Sequence, residues 1–338
     1  MKIFLAGPLP TSMESGGVAV FTLNLAKKLT ALGYDVRVFT DRKSLRACND
    51  QGLEAHDIHR ARHFVRTMQP DVIISSLWYS LFFVGFKHVH KIHLVHGFTN
   101  LRSYTKIKFA LMIMVDRVLR RSFQEFLANS EFTRLINEEI YGQKIDGVFR
   151  IGLLDSEIAS LVENASQSAK RDEVLYVGRL VKAKNVDRII EAYSGAIKSA
   201  SCQLHIVGYG PEQGALQASA QECADVIFEG AKDHRVIADD YKRAKVFISL
   251  NPTEPFGITY LEALLANDFI IAPNVGGQVE LLRQFPERVS LVNVMDKQEV
   301  TRAIEKGLQA SFKCFSDQYD PKVFSYDRTV KEILKNEK

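Results

Sequence analysis

The sequence predicts an α/β protein of two doubly wound parallel-sheet domains, and three observations carry that prediction. Short apolar runs alternate with longer amphipathic stretches, the pattern of parallel strands joined by helices that cover both faces of a sheet. The runs fall into two series, separated by the polar stretch Glu163–Asp172. At 338 residues the chain has room for about two domains.

Composition agrees with a folded, water-soluble protein. Hydrophobic residues make up 46% and charged residues 25%, which excludes wholesale disorder, a collagen-like repeat and a membrane bundle. The net charge of +4 is too small to argue for nucleic acid. Its placement is uneven: residues 1–150 hold 21 Lys+Arg against 13 Asp+Glu, and the remainder 23 against 27. A basic first half either faces something anionic, a membrane surface or a phosphorylated acceptor, or is a solvated face. Cys48, Cys202, Cys223 and Cys314 stand singly, so neither a zinc site nor a disulfide framework is indicated and a reducing cytoplasm fits best.

The first strand is expected at Lys2–Leu5, an apolar run too short for a signal peptide that ends in Gly7-Pro8. Four more follow at Asp35–Thr40, Asp71–Ser75, Ile92–His96 and Glu125–Ala128. The second series is Glu173–Val177, Gln203–Val207, Val226–Glu229, Val246–Leu250, Phe269–Ala272 and Val289–Leu291. The join is expected near 152–172. Ligands of open α/β sheets bind beyond the carboxyl ends of the strands, so two facing sheets would hold a ligand in the cleft between domains.

Chemistry should therefore sit in strand-to-helix loops. After the first strand, Gly16-Gly17 precedes a helical pattern from Phe21 to Leu32; a Gly pair there is either a turn or a place where backbone N–H groups approach an anion. It lacks the G-x-G-x-x-G spacing of a dinucleotide fold. After Val177, Arg179 and Lys184 place a planar guanidinium and a flexible ammonium in one loop, suited to clamping a diphosphate. Gly208-Tyr209-Gly210 is a tight turn that lets the chain approach a ribose or base, or a turn and no more. After Leu250, Glu254 precedes Phe256-Gly257-Ile258, where a helix is expected to begin with free N–H groups pointed at a leaving phosphate. Glu262 lies on that helix among apolar residues, and a buried carboxylate there needs partners such as sugar hydroxyls. Gly276-Gly277 again follows a strand. His96 ends a strand of the first series, where a histidine is more often structural than reactive.

Together these loops resemble the retaining nucleotide-sugar glycosyltransferases of the GT-B fold, glycosyltransferase family 4 (glycosyl transferases group 1). The resemblance covers nearly the whole chain. It rests on Gly16-Gly17, Asn129-Ser130-Glu131-Phe132-Thr133-Arg134, Gly178-Arg179-Leu180-Val181 with Lys184, and Val207-Gly208-Tyr209-Gly210-Pro211. The E-x7-E motif from Glu254 to Glu262, Gly276-Gly277 after Pro273, and the closing Phe324-Ser325-Tyr326 complete it. The resemblance implies two Rossmann-like domains, an acceptor-side domain at 1–155 whose last helix returns at 320–338, and a donor-binding domain at 156–319.

It also implies roles. Arg179 and Lys184 would meet the donor diphosphate, Glu262 the ribose, Glu254 the transferred sugar, and the N–H groups around Phe256, Gly257 and Ile258 the sugar or phosphate. Gly16 and Gly17 would admit the diphosphate, Gly208 and Gly210 would line the nucleotide, and His96 would reach the donor sugar. The co-substrate is a nucleotide sugar, a UDP-sugar in preference to a GDP-sugar, with no metal or other cofactor required. The expected activity is transfer of a hexose-type sugar, with retention, to a glycan or lipid-linked acceptor in bacterial surface polysaccharide or lipopolysaccharide assembly. One departure is Arg150-Ile151-Gly152-Leu153-Leu154-Asp155, which stands where the family usually carries a Pro-Asn-Gly-Val-Asp-like turn.

Residues 101–121 are cationic at both ends and apolar between. The segment is too short and too charged to span a bilayer; it is either an interfacial helix on anionic lipid or a helix packed on the first sheet. The expected location is cytoplasmic, peripheral to the inner face of the plasma membrane. A noncatalytic GT-B subunit is the alternative reading, and a nucleotide-sugar epimerase a third. The full set of Arg179, Lys184, Glu254 and Glu262 disfavours the first, and the E-x7-E arrangement the second.

Overall fold

The computed structural model describes residues 1–11, 16–48, 52–98, 105–163, 165 and 170–334. Parts of four expected features lie outside the described residues: 12–15 of the first loop, 101–104 of the cationic segment, 164 and 166–169 of the polar join, and 335–338 of the returning segment.

The chain divides into two compact units, Met1–Leu154 with Tyr326–Lys338, and Asp155–Ser325. Asp155 and 320–325, which the sequence reading puts with the first domain, group with the second. There the turn Pro321–Phe324 packs on the helix Asp155–Val162.

The first unit carries strands β1 (Lys2–Ala6), β2 (Asp35–Thr40), β3 (Ala55–Asp57), β4 (Val72–Ser76), β5 (His90–Val95), β6 (Glu125–Ala128) and β7 (Gly147–Val148). They form one sheet in the order β3-β2-β1-β4-β5-β6-β7, and every neighbouring pair is parallel, with Ile3 opposite both Val36 and Val72. All five expected strands are present. The two that periodicity misses are short and only half-buried, so neither presents an apolar run to read.

The second unit carries β8 (Arg171–Val177), β9 (Gln203–Val207), β10 (Val226–Gly230), β11 (Ala244–Ile248), β12 (Phe269–Pro273) and β13 (Val289–Val292), in the order β10-β9-β8-β11-β12-β13. The strand order turns back between β1 and β4 and between β8 and β11. Those crevices, beyond the carboxyl ends of β1 and β8, are where doubly wound sheets take ligands. Gly16-Gly17 follows β1, and Arg179 with Lys184 follows β8.

Apolar residues of strand and helix build each core. In the first unit Ile3, Leu5, Val38, Ile74 and Ile92 pack with Phe21, Leu25 and Leu29 of the helix Gly17–Ala31. Tyr326, Val330 and Ile333 of the final helix, Tyr326–Ile333, join the same cluster. The variant turn at 150–155 is the dock for that helix. Leu153 O accepts the Tyr326 N–H at 3.0 Å. Thr329 Oγ1 accepts from Gly152 N at 2.9 Å and donates to Arg150 O at 2.8 Å. Arg150 pairs with Glu332, and Lys28 reaches Asp327 at 2.8 Å. The dock is thus made by the Gly152 N–H, the Arg150 and Leu153 carbonyls, and the Arg150 N–H and side chain on Glu332.

Candidate functional site

In the second unit three loops converge at the carboxyl ends of β8, β9 and β10. Gly178 N donates to Val207 O at 3.0 Å, Leu180 N to Tyr209 O at 2.9 Å, and Gly208 N to Gly230 O at 2.8 Å. Gly208 has φ +142°, and a Cβ there would sit 1.9 Å from the Gly178 carbonyl oxygen; one on Gly210 would sit 2.2 Å from that of Leu180. Loop-to-loop packing therefore gives both glycines a reason independent of any ligand.

The Arg179 side chain is exposed at the rim, while its carbonyl accepts from the buried Tyr176 hydroxyl at 3.0 Å. Burial and then the Glu254 carboxylate push that phenol up. The chain then makes a 3-10 turn, Lys182–Lys184, and passes through Asn185 in the left-handed region (φ 52°) before the helix Val186–Ser194. Asn185 Nδ2 donates to Leu250 O at 2.7 Å, tying this loop to the one after β11.

That tie brings two site residues together. Lys184 Nζ lies 2.5 Å from Glu254 Oε2, with the two side chains 21% and 17% exposed. Asn251 Nδ2 donates to the same oxygen at 3.0 Å, and Asn251 Oδ1 accepts from Thr253 N at 3.1 Å. The Glu254 carbonyl accepts the Gly277 N–H at 2.8 Å, joining the loop after β12. Gly257 caps the helix Ile258–Leu265 at φ 85°, and a Cβ there would meet Tyr260 Cδ2 at 2.5 Å. The Tyr260 hydroxyl donates to Ser249 O at 2.8 Å, holding that helix start to the loop before it.

Glu262 is 3% exposed, and the Tyr241 hydroxyl donates to its Oε2 at 2.8 Å. Burial, then Glu262, raises the Tyr241 phenol. Residue type alone gives no sign of Tyr241, twenty-one positions earlier. Asn251 is different, because an Asn-Pro at a strand end marks a turn whose amide is free to reach a neighbour.

The first unit places its residues separately. Gly16 caps the helix Gly17–Ala31 through its carbonyl, which accepts Ala19 N at 2.9 Å, and no side chain takes part. Among the described residues, nothing lies within 4 Å of a Cβ placed on Gly16 or Gly17. His96 packs edge-on against Phe21, centroids 4.8 Å apart, and its buried Nε2 has no hydrogen-bond partner among the described residues. Burial, helped by His93, pushes its imidazole down to about 3, so it is neutral at ordinary pH.

His96 opens onto a pocket of about 360 Å3 within this unit, floored by His93–Phe98 and roofed by Met112, Asp116 and Leu119 of the helix Lys106–Ser122. The opposite face of that helix shows Ile107, Leu111, Met114 and Val118 to solvent, 81, 53, 56 and 40% exposed. Lys108, Arg117 and Arg121 flank them, also exposed. The helix is packed on the first unit, with Leu119 in the core and Val115 against it, while its outer face is exposed apolar surface. Among the described residues no helix is long and apolar enough to cross a membrane.

Comparison with known proteins gives the family and the fold. The family model "Glycosyl transferases group 1" matches residues 161–314, and "Glycosyltransferase Family 4" matches 15–146. A GDP-mannose-dependent alpha-mannosyltransferase of Mycobacterium tuberculosis is 35% identical over 117 residues, 35% of this chain and 29% of that protein. The alpha-monoglucosyldiacylglycerol synthase of Streptococcus pneumoniae is 24% identical over 295 residues, 78% of this chain and 66% of that one. The chain thus spans less than two thirds of the length of these curated relatives.

Among solved structures, Anabaena HepE in complex with UDP and glucose superposes with a TM-score of 0.73 at 14% identity, covering 100% of this chain and 98% of that one. WaaG, a glycosyltransferase involved in lipopolysaccharide biosynthesis, gives 0.66 at 15% identity and 99% of each. At such identities the likeness speaks for the fold, which is GT-B.

Proposed function

We propose, of a chain that belongs to the GT-B glycosyltransferases of the family 4 type, that it transfers a hexose-type sugar from a nucleotide-sugar donor to a hydroxyl of a glycan or glycolipid, with retention of configuration. The observation that carries this is the contact of Lys184 with Glu254 beside Arg179, at the carboxyl edge where a parallel sheet takes its ligand. A leaving nucleoside diphosphate gains negative charge as the glycosidic bond breaks, and two preplaced cations lower the energy of that charge most when it develops. Arg179 offers a planar fork to one phosphate and Lys184 a point charge to the other.

Glu254, held by Lys184 and Asn251, is the acceptor for hydroxyls of the transferred sugar, and the N–H groups at Gly257 and Ile258 receive sugar or phosphate oxygens. Glu262 shares its carboxylate between Tyr241 and the ribose. Gly16 and Gly17 admit the diphosphate, and His96 meets the donor sugar as a neutral imidazole. Charge neutralisation by Arg179 and Lys184 makes a divalent cation unnecessary in this scheme, so chelator should leave the rate unchanged.

UDP-sugars are the proposed donors; UDP and glucose occupy HepE, while the two mannosyltransferase relatives are named for GDP-mannose. The role in bacterial surface polysaccharide or lipopolysaccharide assembly takes support from WaaG and from WaaB, a lipopolysaccharide outer core galactosyltransferase. The outer face of the helix Lys106–Ser122 is the proposed peripheral contact with anionic membrane, apolar in its middle and cationic at its flanks.

Thermal-shift screening of UDP-, GDP- and ADP-sugars tests the donor, because a ligand bound only by the folded state raises apparent stability. Donor hydrolysis then tests the site. An active wild type with Glu254→Ala and Lys184→Ala both unimpaired would refute it, and a chain that binds donor without ever turning it over would be a binding subunit.

A further inference from the structure

We propose that Gln278, a fully buried carboxamide that none of the proposed substrate contacts uses, is a positioning residue for Glu254: its amide sets the turn after β12 from which the Gly277 N–H holds the Glu254 carbonyl. The inference rests on the reading of Glu254 as the residue that meets the transferred sugar, and deepens it by naming what fixes that residue in place.

Gln278 is 0% exposed and opens the short helix Gln278–Leu282. Its Nε2 donates to Val275 O at 2.8 Å and to Pro273 O at 3.3 Å, so one amide group ties the end of β12 to the exposed tip of the turn at Asn274 and Val275. Oε1 is buried and has no hydrogen-bond partner among the described residues. Gly276 is shaped to this amide. Its φ is +121°, and a Cβ there would lie 2.3 Å from Gln278 Oε1 and 2.9 Å from both Cδ and Nε2, so backbone and side chain fill the turn together.

Packing alone does not call for a carboxamide at this place. Val279 and Leu282 of the same helix are core residues, 7 and 0% exposed, and a buried amide with an unmet oxygen costs stability that an apolar side chain of equal length would not. What the amide alone supplies is its N–H groups on the carbonyls of the turn. Residue type and position together assign Gln278 to the shape of that turn.

The shape reaches the donor site in one further step. The Gly277 N–H donates to Glu254 O at 2.8 Å, joining the turn to residues 249–257, which belong to no strand or helix. The Glu254 carboxylate is held from its other end by Lys184 and Asn251. A carboxylate that must meet sugar hydroxyls loses much of its effect on a displacement of about 1 Å. Gly277 therefore fixes the backbone end of a residue whose side-chain end does the binding.

The test compares the full chain with Gln278→Met, which keeps the length of the side chain and removes its N–H groups, alone and combined with Glu254→Gln. Amide hydrogen exchange at Gly277, measured without donor, is expected to quicken about tenfold in Gln278→Met while the β12 amides keep their rates. Hydrolysis of UDP-glucose is expected to lose about tenfold in kcat/KM, with the Kd for UDP, which carries no sugar, within about twofold of wild type. Placed on Glu254→Gln, the same substitution is expected to cost less than about twofold, because the carboxylate it positions is gone.

A loss equally large in both backgrounds marks a structural residue and overturns the proposal. Gly277 exchange at the wild-type rate overturns it too, as does faster exchange with hydrolysis intact. The two readings fail separately. A wild type that neither binds UDP nor hydrolyses UDP-glucose counts against the transferase reading, and Gly277 exchange then decides the link from Gln278 to Glu254 by itself.

Discussion

Removing either member of the Lys184–Glu254 contact separates what the pair does for the fold from what it does for the reaction. The charged atoms are 2.5 Å apart and about four-fifths covered. Coulomb attraction at that range is several kcal/mol at an effective dielectric near 20, of the order of 4 kcal/mol already at 4 Å. Desolvation and residual exposure cancel most of it, leaving a coupling of about 1–2 kcal/mol between the side chains. Urea denaturation of Lys184→Ala, Glu254→Ala and the double variant reads that number directly, and the double variant should be no less stable than the worse single one. Donor hydrolysis should fall much further, about 100-fold or more in kcat/KM for Lys184→Ala, because the lost ammonium faces charge that develops only on the way to products. Saturating UDP should stabilise wild type by about 2.7 kcal/mol at a hundred times its Kd, and Lys184→Ala by clearly less. A coupling below about 0.3 kcal/mol together with activity within tenfold of wild type would refute the reasoning.

Other perturbations follow from the same geometry. Gly208→Ala forces a Cβ to 1.9 Å from a carbonyl oxygen at φ +142° and should cost more than about 3 kcal/mol by urea denaturation. Gly17→Ala meets nothing among the described residues, so the melting temperature should hold while the UDP Kd rises; a fall in melting temperature would mean the position is structural. His93 and His96 sit at about 4 and about 3 when folded against 6.5 as the ordinary value, so the unfolded chain binds more protons as pH falls below 6.5. Stability present above that pH should decline towards pH 4, by about 2 kcal/mol for each histidine at pH 5, measured by urea denaturation at pH 5 and 7. On the outer helix face, Leu111→Ser and Arg117→Glu should reduce cosedimentation with anionic vesicles at low salt without lowering the melting temperature, since both side chains are exposed.

The strands were legible because a buried parallel strand must be apolar along its whole length, and eleven such runs stand out between β1 and β13. Ala55–Asp57 and Gly147–Val148 are 3 and 2 residues long, too short to show a run, whereas the edge strand Val226–Gly230, half-buried throughout, still shows Val-Ile-Phe over its 5 residues. Arg179, Lys184 and Glu254 were legible as candidates because charge immediately after an apolar strand has nowhere to go but the sheet edge. What was not legible is which of them touch. Lys184 meets Glu254 only because Asn185, in a left-handed conformation, donates to Leu250 sixty-five positions away, and such a tie leaves no periodic trace.

Glycine shows the same limit more sharply. Gly16-Gly17 and Gly208 with Gly210 read alike in sequence, as small residues in strand-to-helix loops. Their surroundings differ in kind: among the described residues nothing lies within 4 Å of a Cβ on the first pair, whereas the second pair is pressed against the carbonyls of Gly178 and Leu180. The fold itself therefore accounts for the second pair. Asp116 is the converse. In sequence it is one acid within a cationic, apolar helix, indistinguishable from a solvated residue. Its setting comes from the two faces of that helix, one turned to solvent with Lys108, Arg117 and Arg121, the other carrying Asp116 and, one turn on, Arg120 over a pocket.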